Sequence, residues 1–169
     1  MTFDQQILAT FIGSVLGFIF AIVLFYITEK IKQKKAMSET KKNLKREFGF
    51  NISLLTEWTT KLDKVLRQVT ADDHDVFEYF RYSDFQRVFI HTAFQQGILY
   101  DSFSDDDFYT LNSILIHFFR ETETYLALYI SRWKNKDITK KEMLQLFEFE
   151  KDKVSKYLKV LKNLREKIK

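Results

Sequence analysis

The sequence predicts an all-α protein in which an N-terminal single transmembrane helix continues into a cytosolic antiparallel helical bundle. Three observations carry that prediction. Residues 7–27 (ILATFIGSVLGFIFAIVLFYI) are uncharged and mostly apolar; at ~1.5 Å rise per residue, a helix of that length reaches about 30 Å, the thickness of a bilayer's hydrocarbon core. The chain has no proline and only 4 glycines in 169 residues, so little interrupts a long helix. Beyond the apolar run, hydrophobic residues recur at helical spacing through most of the remaining sequence.

The apolar run reads as a retained anchor. A secretory signal needs a cationic start, a shorter apolar stretch and a small-residue cleavage site, whereas residues 1–6 (MTFDQQ) hold no Lys or Arg and the run ends in Tyr26, Ile27, Thr28, Glu29 and Lys30. Orientation follows from the cations, because Lys and Arg near a transmembrane end resist translocation. Residues 28–47 carry eight cations against three acids, net +5. The expected layout is a short extracytoplasmic tail over 1–6, a transmembrane helix over 7–27, a basic juxtamembrane stalk over 28–47 and a cytosolic helical bundle over 48–169. Residues 48–150 are net −6 and residues 151–169 net +6, so the overall basicity is two terminal patches around an acidic middle. The first patch needs no nucleic acid: Lys30, Lys32, Lys34 and Lys35 are candidate contacts for anionic lipid headgroups, at about 1 kcal/mol each near the surface.

The part after the anchor is long enough for one domain with a real core. Absence of cysteine excludes disulfides and thiolate metal sites, and 18 Phe, 8 Tyr and 2 Trp argue against disorder. From Lys30 no helix breaker intervenes until Thr70, and Leu44, Phe48, Ile52, Leu55, Trp58, Leu62, Val65, Leu66 and Val69 recur at helical spacing. TADDHD at 70–75 is the first clear turn. A short helix is expected over 76–82, then another from Asp84 with Ser83 as N-cap, burying Phe85, Val88, Phe89, Thr92, Ala93 and Gln96 and stopping at Gly97. Ser104 with Asp107 forms a capping-box pattern behind Asp105 and Asp106, where acids complement the helix dipole. Phe108, Leu111, Leu115, Phe118, Thr122, Tyr125, Tyr129 and, after one slip, Trp133 then alternate threes and fours as a packing seam does. Thr139 with Glu142 is a second capping-box pattern, opening a last helix with Met143, Phe147, Val154, Leu158, Leu161, Leu164 and Ile168 inward.

Catalytic chemistry finds little footing. A nucleophile needs an adjacent base, yet His74, His91 and His117 fall in three different segments, with no Cys and no Gly-rich phosphate loop. The chain reads as non-enzymatic, with no cofactor and no metal. Asp72, Asp73, His74 and Asp75 read as a solvated turn, since the Glu and Glu-x-x-His ligands of a bundle di-metal site are absent. The Asp105 to Asp107 run lacks calcium-loop spacing and reads as helix-start chemistry. Residues 77–109 are rich in aromatics, with Arg81, Arg87 and His91 interleaved; such a mixture can stack bases and hold phosphates, or it can be core, because short helices on long ones need bulky side chains. Arg81, Tyr82, Arg87 and His91 are the candidate anionic-ligand residues. Lys153, Lys156, Lys159, Lys162 and Arg165 recur every third residue as a basic ridge, either a solvated face or a contact for an anion or lipid.

The apolar helix carries a sharper pattern. Ala9, Gly13, Gly17 and Ala21 repeat at intervals of four with Thr10 and Ser14 alongside, a small-xxx-small track that lets helix backbones approach closely. Phe11, Phe18 and Phe25 recur every seven residues and are the candidate constriction. Two readings compete: an oligomeric membrane effector whose helices form or open a pore under control of the cytosolic bundle, and a tethered scaffold or sensor subunit that recruits a cytosolic partner.

In layout over the whole chain, without a signature motif, the sequence resembles the small single-pass membrane effectors of bacterial anti-phage defence systems, including those encoded beside nucleotidyltransferases. The resemblance implies an inner-membrane location, ion leakage or depolarisation as output, and a nucleotide or oligonucleotide signal made by a partner enzyme and bound by the cytosolic domain. It transfers no site residues. The expected partners are therefore membrane lipids, further copies of the chain as a homo-oligomer, and such a signal, with no double-stranded nucleic acid.

Overall fold

A computed structural model describes residues 3–76 and 78–168, without the side chains of residues 4, 5, 8 and 9. The protein is all-helical, with no strand among the described residues. Helix α1 spans Phe3–Thr70, followed by a 3-10 turn at Tyr82–Asp84, α2 (Val88–Gln95), α3 (Ile98–Ser102), α4 (Asp105–His117), α5 (Arg120–Lys134) and α6 (Lys140–Lys167). The chain divides into two compact units, residues up to Glu39 and residues from Thr40 onward.

The first unit is a single helical stretch, and among the described residues its side chains over 10–28 are exposed. Phe11, Phe18 and Phe25 are 65%, 68% and 69% exposed, and among the described residues this is the one helix long and apolar enough to cross a membrane.

The second unit is organised around the distal part of α1 and the facing stripe of α6. Leu44, Phe48, Leu55, Trp58, Leu62, Val65 and Val69 are buried, in steps of three, four and seven. Ile52 and Leu66, expected inward, are half-buried, while Asn51 is fully buried. On α6, Met143, Phe147, Val154, Leu161 and Leu164 are buried as expected; Glu150 and Tyr157 join them and Leu158 is only half-buried. Lys151 pairs with Asp63 at 2.6 Å, and Lys140 donates to the Thr70 carbonyl. Both expected capping boxes form: Asp107 N–H donates to Ser104 Oγ and Ser104 N–H to Asp107 Oδ2, with the same reciprocal pair at Thr139 and Glu142. Asp107 also binds Lys167 at 2.6 Å, tying the start of α4 to the end of α6. Partial desolvation pushes the Asp107 carboxyl up, but the Lys167 and Ser104 hydrogen bonds outweigh it and hold it below the usual carboxylate range.

Three local expectations are corrected. Among the described residues, the segment expected as a helix over 76–82 is irregular until the 3-10 turn, and Phe77 lies outside those residues. Ser83 is not an N-cap: its N–H and Oγ donate to Glu123 Oε2 of α5 at 3.1 and 2.9 Å. The helix expected from Asp84 begins at Val88, so Ile90 and Ala93 face inward and Val88 is 68% exposed. The late start has a cause on α1. Asn51 grips the backbone of Gln86 with both ends of its amide (2.8 and 2.9 Å), and the Glu47 carboxylate accepts from the Phe89 and Ile90 N–H groups at 2.8 and 3.0 Å. A carboxylate at a helix N-terminus satisfies orphan donors and complements the dipole. Gly97, at φ 74, ends α2 as expected, and α3 starts at the next residue.

The seam expected from Phe108 to Tyr129 and, after one slip, Trp133 is interrupted earlier, at Phe118. Phe118 and Phe119 leave helical geometry between α4 and α5, and the Phe118 ring enters the core 5.2 Å from Trp58, 5.1 Å from Tyr82 and 4.9 Å from Phe85. The frame shifts, so that Leu126, Ile130 and Trp133 are buried while Tyr125 faces out.

Glu47 offers a direct test. Glu47→Ala is expected to lower the stability of the helical domain by about 2–3 kcal/mol, because two N–H groups at the buried α2 start lose a charged acceptor. Glu57→Ala, which removes only an exposed pairing with Lys61, should cost under about 0.5 kcal/mol. Thermal unfolding of the full chain in detergent compares them, and equal effects would refute the capping role.

Candidate functional site

In the first unit the candidate residues lie on an uncovered helix. Gly13 and Gly17 have open space where a side chain would project, and Thr10, Ser14 and Ala21 are exposed; the Ala9 side chain lies outside the described residues. Thr10 Oγ1 donates to the Gln6 carbonyl and Ser14 Oγ to the Thr10 carbonyl, both at 2.9 Å. The hydroxyls are thus satisfied within their own helix, the arrangement that an apolar surrounding tolerates. Among the four lysines that follow, Lys30 lies 4.7 Å from the centre of the Tyr26 ring and Lys32 pairs with Glu29 at 3.2 Å. Lys34 and Lys35 are exposed.

In the second unit, Arg81, Tyr82, Arg87 and His91 differ in exposure, and Tyr82 and Arg87 both meet Phe118. Arg81 and His91 are exposed. Arg87 is half-buried, donates through Nη2 to the carbonyl of Phe118 and lies 4.2 Å from the centre of the Phe119 ring. That carbonyl is freed by the break between α4 and α5, so the guanidinium serves as its replacement donor. Burial pulls the Arg87 pKa down from its ordinary value; a guanidinium starts so high that it stays charged. Tyr82 is fully buried, which removes it from any ligand at the surface.

Around Tyr82 the structure gathers groups that sequence spacing did not connect. Tyr82 O–H donates to Glu150 Oε1 at 2.6 Å, and His117 Nε2 lies 2.8 Å from the same oxygen. The side chains of His117 and Glu150 are only 8% and 6% exposed. Trp58 lies 4.7 Å from Tyr82, and Tyr157 5.4 Å from His117, between ring centres. Burial, then the neighbouring Glu150 carboxylate, raises the Tyr82 pKa far above the ordinary phenol value, and the same two causes raise Tyr157. A signal for this cluster is present in the sequence. Glu150 stands in phase with Phe147 and Val154, as Glu47 and Asn51 stand in phase with Leu44, Phe48 and Leu55, and an acid or amide on an inward stripe marks a buried hydrogen-bonding site.

The acidic turn is engaged as well. His74 Nδ1 lies 2.9 Å from the Trp133 carbonyl, its ring 4.2 Å from that indole, and Trp133 Nε1 donates to the Asp73 carbonyl at 2.8 Å. Asp73 also accepts from Gln68 and from the Asp75 N–H. The turn is a clasp that fastens the end of α1 to the end of α5.

These elements define a class: an all-helical protein with one helix near its N-terminus long and apolar enough to cross a membrane. No family model, curated protein or solved structure matches the chain.

Proposed function

We propose that the protein is an oligomeric, non-catalytic effector of a bacterial inner membrane, in which residues 7–27 cross the bilayer and associate into a pore gated by a signal bound to the helical domain, in anti-phage defence. The observation that carries this reading is the uncovered apolar helix, with Gly13 and Gly17 open on one side. Aqueous exposure of so much contiguous apolar surface is unfavourable, and a small-residue track is how membrane helices pack on one another. The basic segment after residue 27 favours a cytosolic helical domain. Within that domain, residue numbers ascend along α1 as their partners descend along α6, from Asp63 with Lys151 to Thr70 with Lys140, which supports an antiparallel bundle.

The alternative, a membrane-anchored scaffold or sensor subunit, draws on exposed apolar side chains of the helical domain: Val88, Ile116 and Phe119 are 68%, 62% and 47% exposed. A paired experiment separates the two. Purified full-length protein is expected to migrate as a discrete oligomer in mild detergent, and its overexpression to collapse the membrane potential reported by a voltage-sensitive dye. A detergent monomer with intact potential would discard the pore and leave the scaffold.

A further inference from the structure

Two basic segments far apart in sequence meet in one groove of the second unit. Lys45 and Ile52 of α1 and Lys162, Arg165 and Glu166 of α6 line an open space of about 470 Å³, within the ~300–1,000 Å³ range of small-ligand clefts. Arg165 lays its guanidinium across α1 at Gly49: a Cβ placed there would stand 3.7 Å from its Cζ and Nη2. Lys151 and Lys167, outside the groove, are matched by Asp63 and Asp107, each at 2.6 Å. Among the described residues, Lys45, Lys162 and Arg165 have no carboxylate within ion-pair distance. Lys141, Lys153, Lys156 and Lys159 of α6 lack a carboxylate partner among the described residues too; what sets the groove apart is that it gathers three such cations from two helices around the single acid Glu166.

We propose that this groove binds the phosphate groups of an anionic ligand. A planar guanidinium can hold two phosphate oxygens at once, and the two ammonium groups of the same groove add point charges for further phosphates. Ile52 supplies an apolar wall beside them. The site joins α1 to α6, so an occupant bridges the helix that carries the apolar segment to the last helix of the domain. The proposal rests on the signal-gated reading for what the ligand controls. It places recognition at Lys45, Lys162 and Arg165, which line one groove, rather than at Arg81, Tyr82, Arg87 and His91.

The test uses the full chain in phosphatidylcholine nanodiscs, titrated calorimetrically with tripolyphosphate at physiological salt. Saturable binding is expected; Lys162→Glu with Arg165→Glu should weaken it about tenfold or more by replacing two attractive charges with repulsive ones, and Glu166→Gln should tighten it. Arg81→Glu, outside the groove, should leave it unchanged, and circular dichroism on each variant confirms the fold. Repeating the titration with phosphatidylglycerol in the nanodisc separates the sources: competition identifies a lipid headgroup as occupant, and undiminished binding identifies a free phosphate ligand. Binding that survives the double reversal, or no binding of tripolyphosphate and no competition, overturns the site. Conductance is not the readout, so failure here leaves the pore reading standing, and failure of the pore leaves this result standing.

Discussion

Glu150→Ala is expected to destabilise the helical domain by about 3–5 kcal/mol, the sum of two buried groups stranded at about 1–3 kcal/mol each and a small cavity. The carboxylate oxygen that receives Tyr82 O–H and His117 Nε2 is buried among aromatic rings, so its removal strands both groups and opens a cavity beside Phe147 and Val154. Glu150→Gln retains an acceptor oxygen and nearly the same volume, and should cost about 1–2 kcal/mol. Tyr82 adds a pH signature. Its pKa is raised on folding, so its contribution is complete below the unfolded-state value of about 10 and is lost as pH climbs beyond it. Base-induced unfolding should therefore steepen above about pH 10 in the native chain and be shallower in Tyr82→Phe. Denaturant titration of the full chain in detergent reads both effects. An alanine variant within about 0.5 kcal/mol of native would mean the cluster carries no stability.

The parts of this fold that were legible in the sequence are those whose determinants lie within a few residues of one another. A capping box is complete in four residues, and the boxes at Ser104 and Thr139 form as the spacing indicates. The apolar run and the inward stripe of α1 are likewise written in a single periodicity. What escaped is written across long separations. Nothing near Val88 announces that its helix waits for a carboxylate more than forty residues upstream, at Glu47; local signals alone point to a start at Asp84. The seam through Phe118 was a matter of energetics rather than pattern: the sequence permits a continuous helix, but the ring gains more by entering the core among Trp58, Tyr82 and Phe85, and Arg87 reaches in to bind the carbonyl that the break releases. The same contact explains why an arginine amid aromatic residues resembled a ligand site. It stacks on a ring and meets an oxygen, as it would on a nucleotide, but the ring and oxygen belong to the protein.

Under the proposed pore-forming function, Gly17→Leu should abolish depolarisation while leaving expression and the helical domain intact. Gly17 stands four residues from Gly13 and from Ala21, and a side chain there would project into space that the chain itself leaves open. Only another helix can make that position crowded, so the substitution is silent for an isolated anchor and disruptive for a packed assembly. In membranes, helices gain little from the hydrophobic effect on meeting one another; close van der Waals approach carries the association, and a branched side chain on the contact track removes it. The graded series Gly17→Ala, Gly17→Val and Gly17→Leu should therefore shift the detergent oligomer toward monomer in order of side-chain size, with loss of conductance following the same order. Ile19→Val, two residues and so about 160° around the helix from Gly17, lies on the opposite apolar face and serves as the control that preserves hydrophobicity. The two readouts together decide what the helix does. If oligomer and conductance fall in step, association through this face is the pore's assembly step. If the oligomer persists in Gly17→Leu, contact is made elsewhere, and the glycine track is discarded as the working surface.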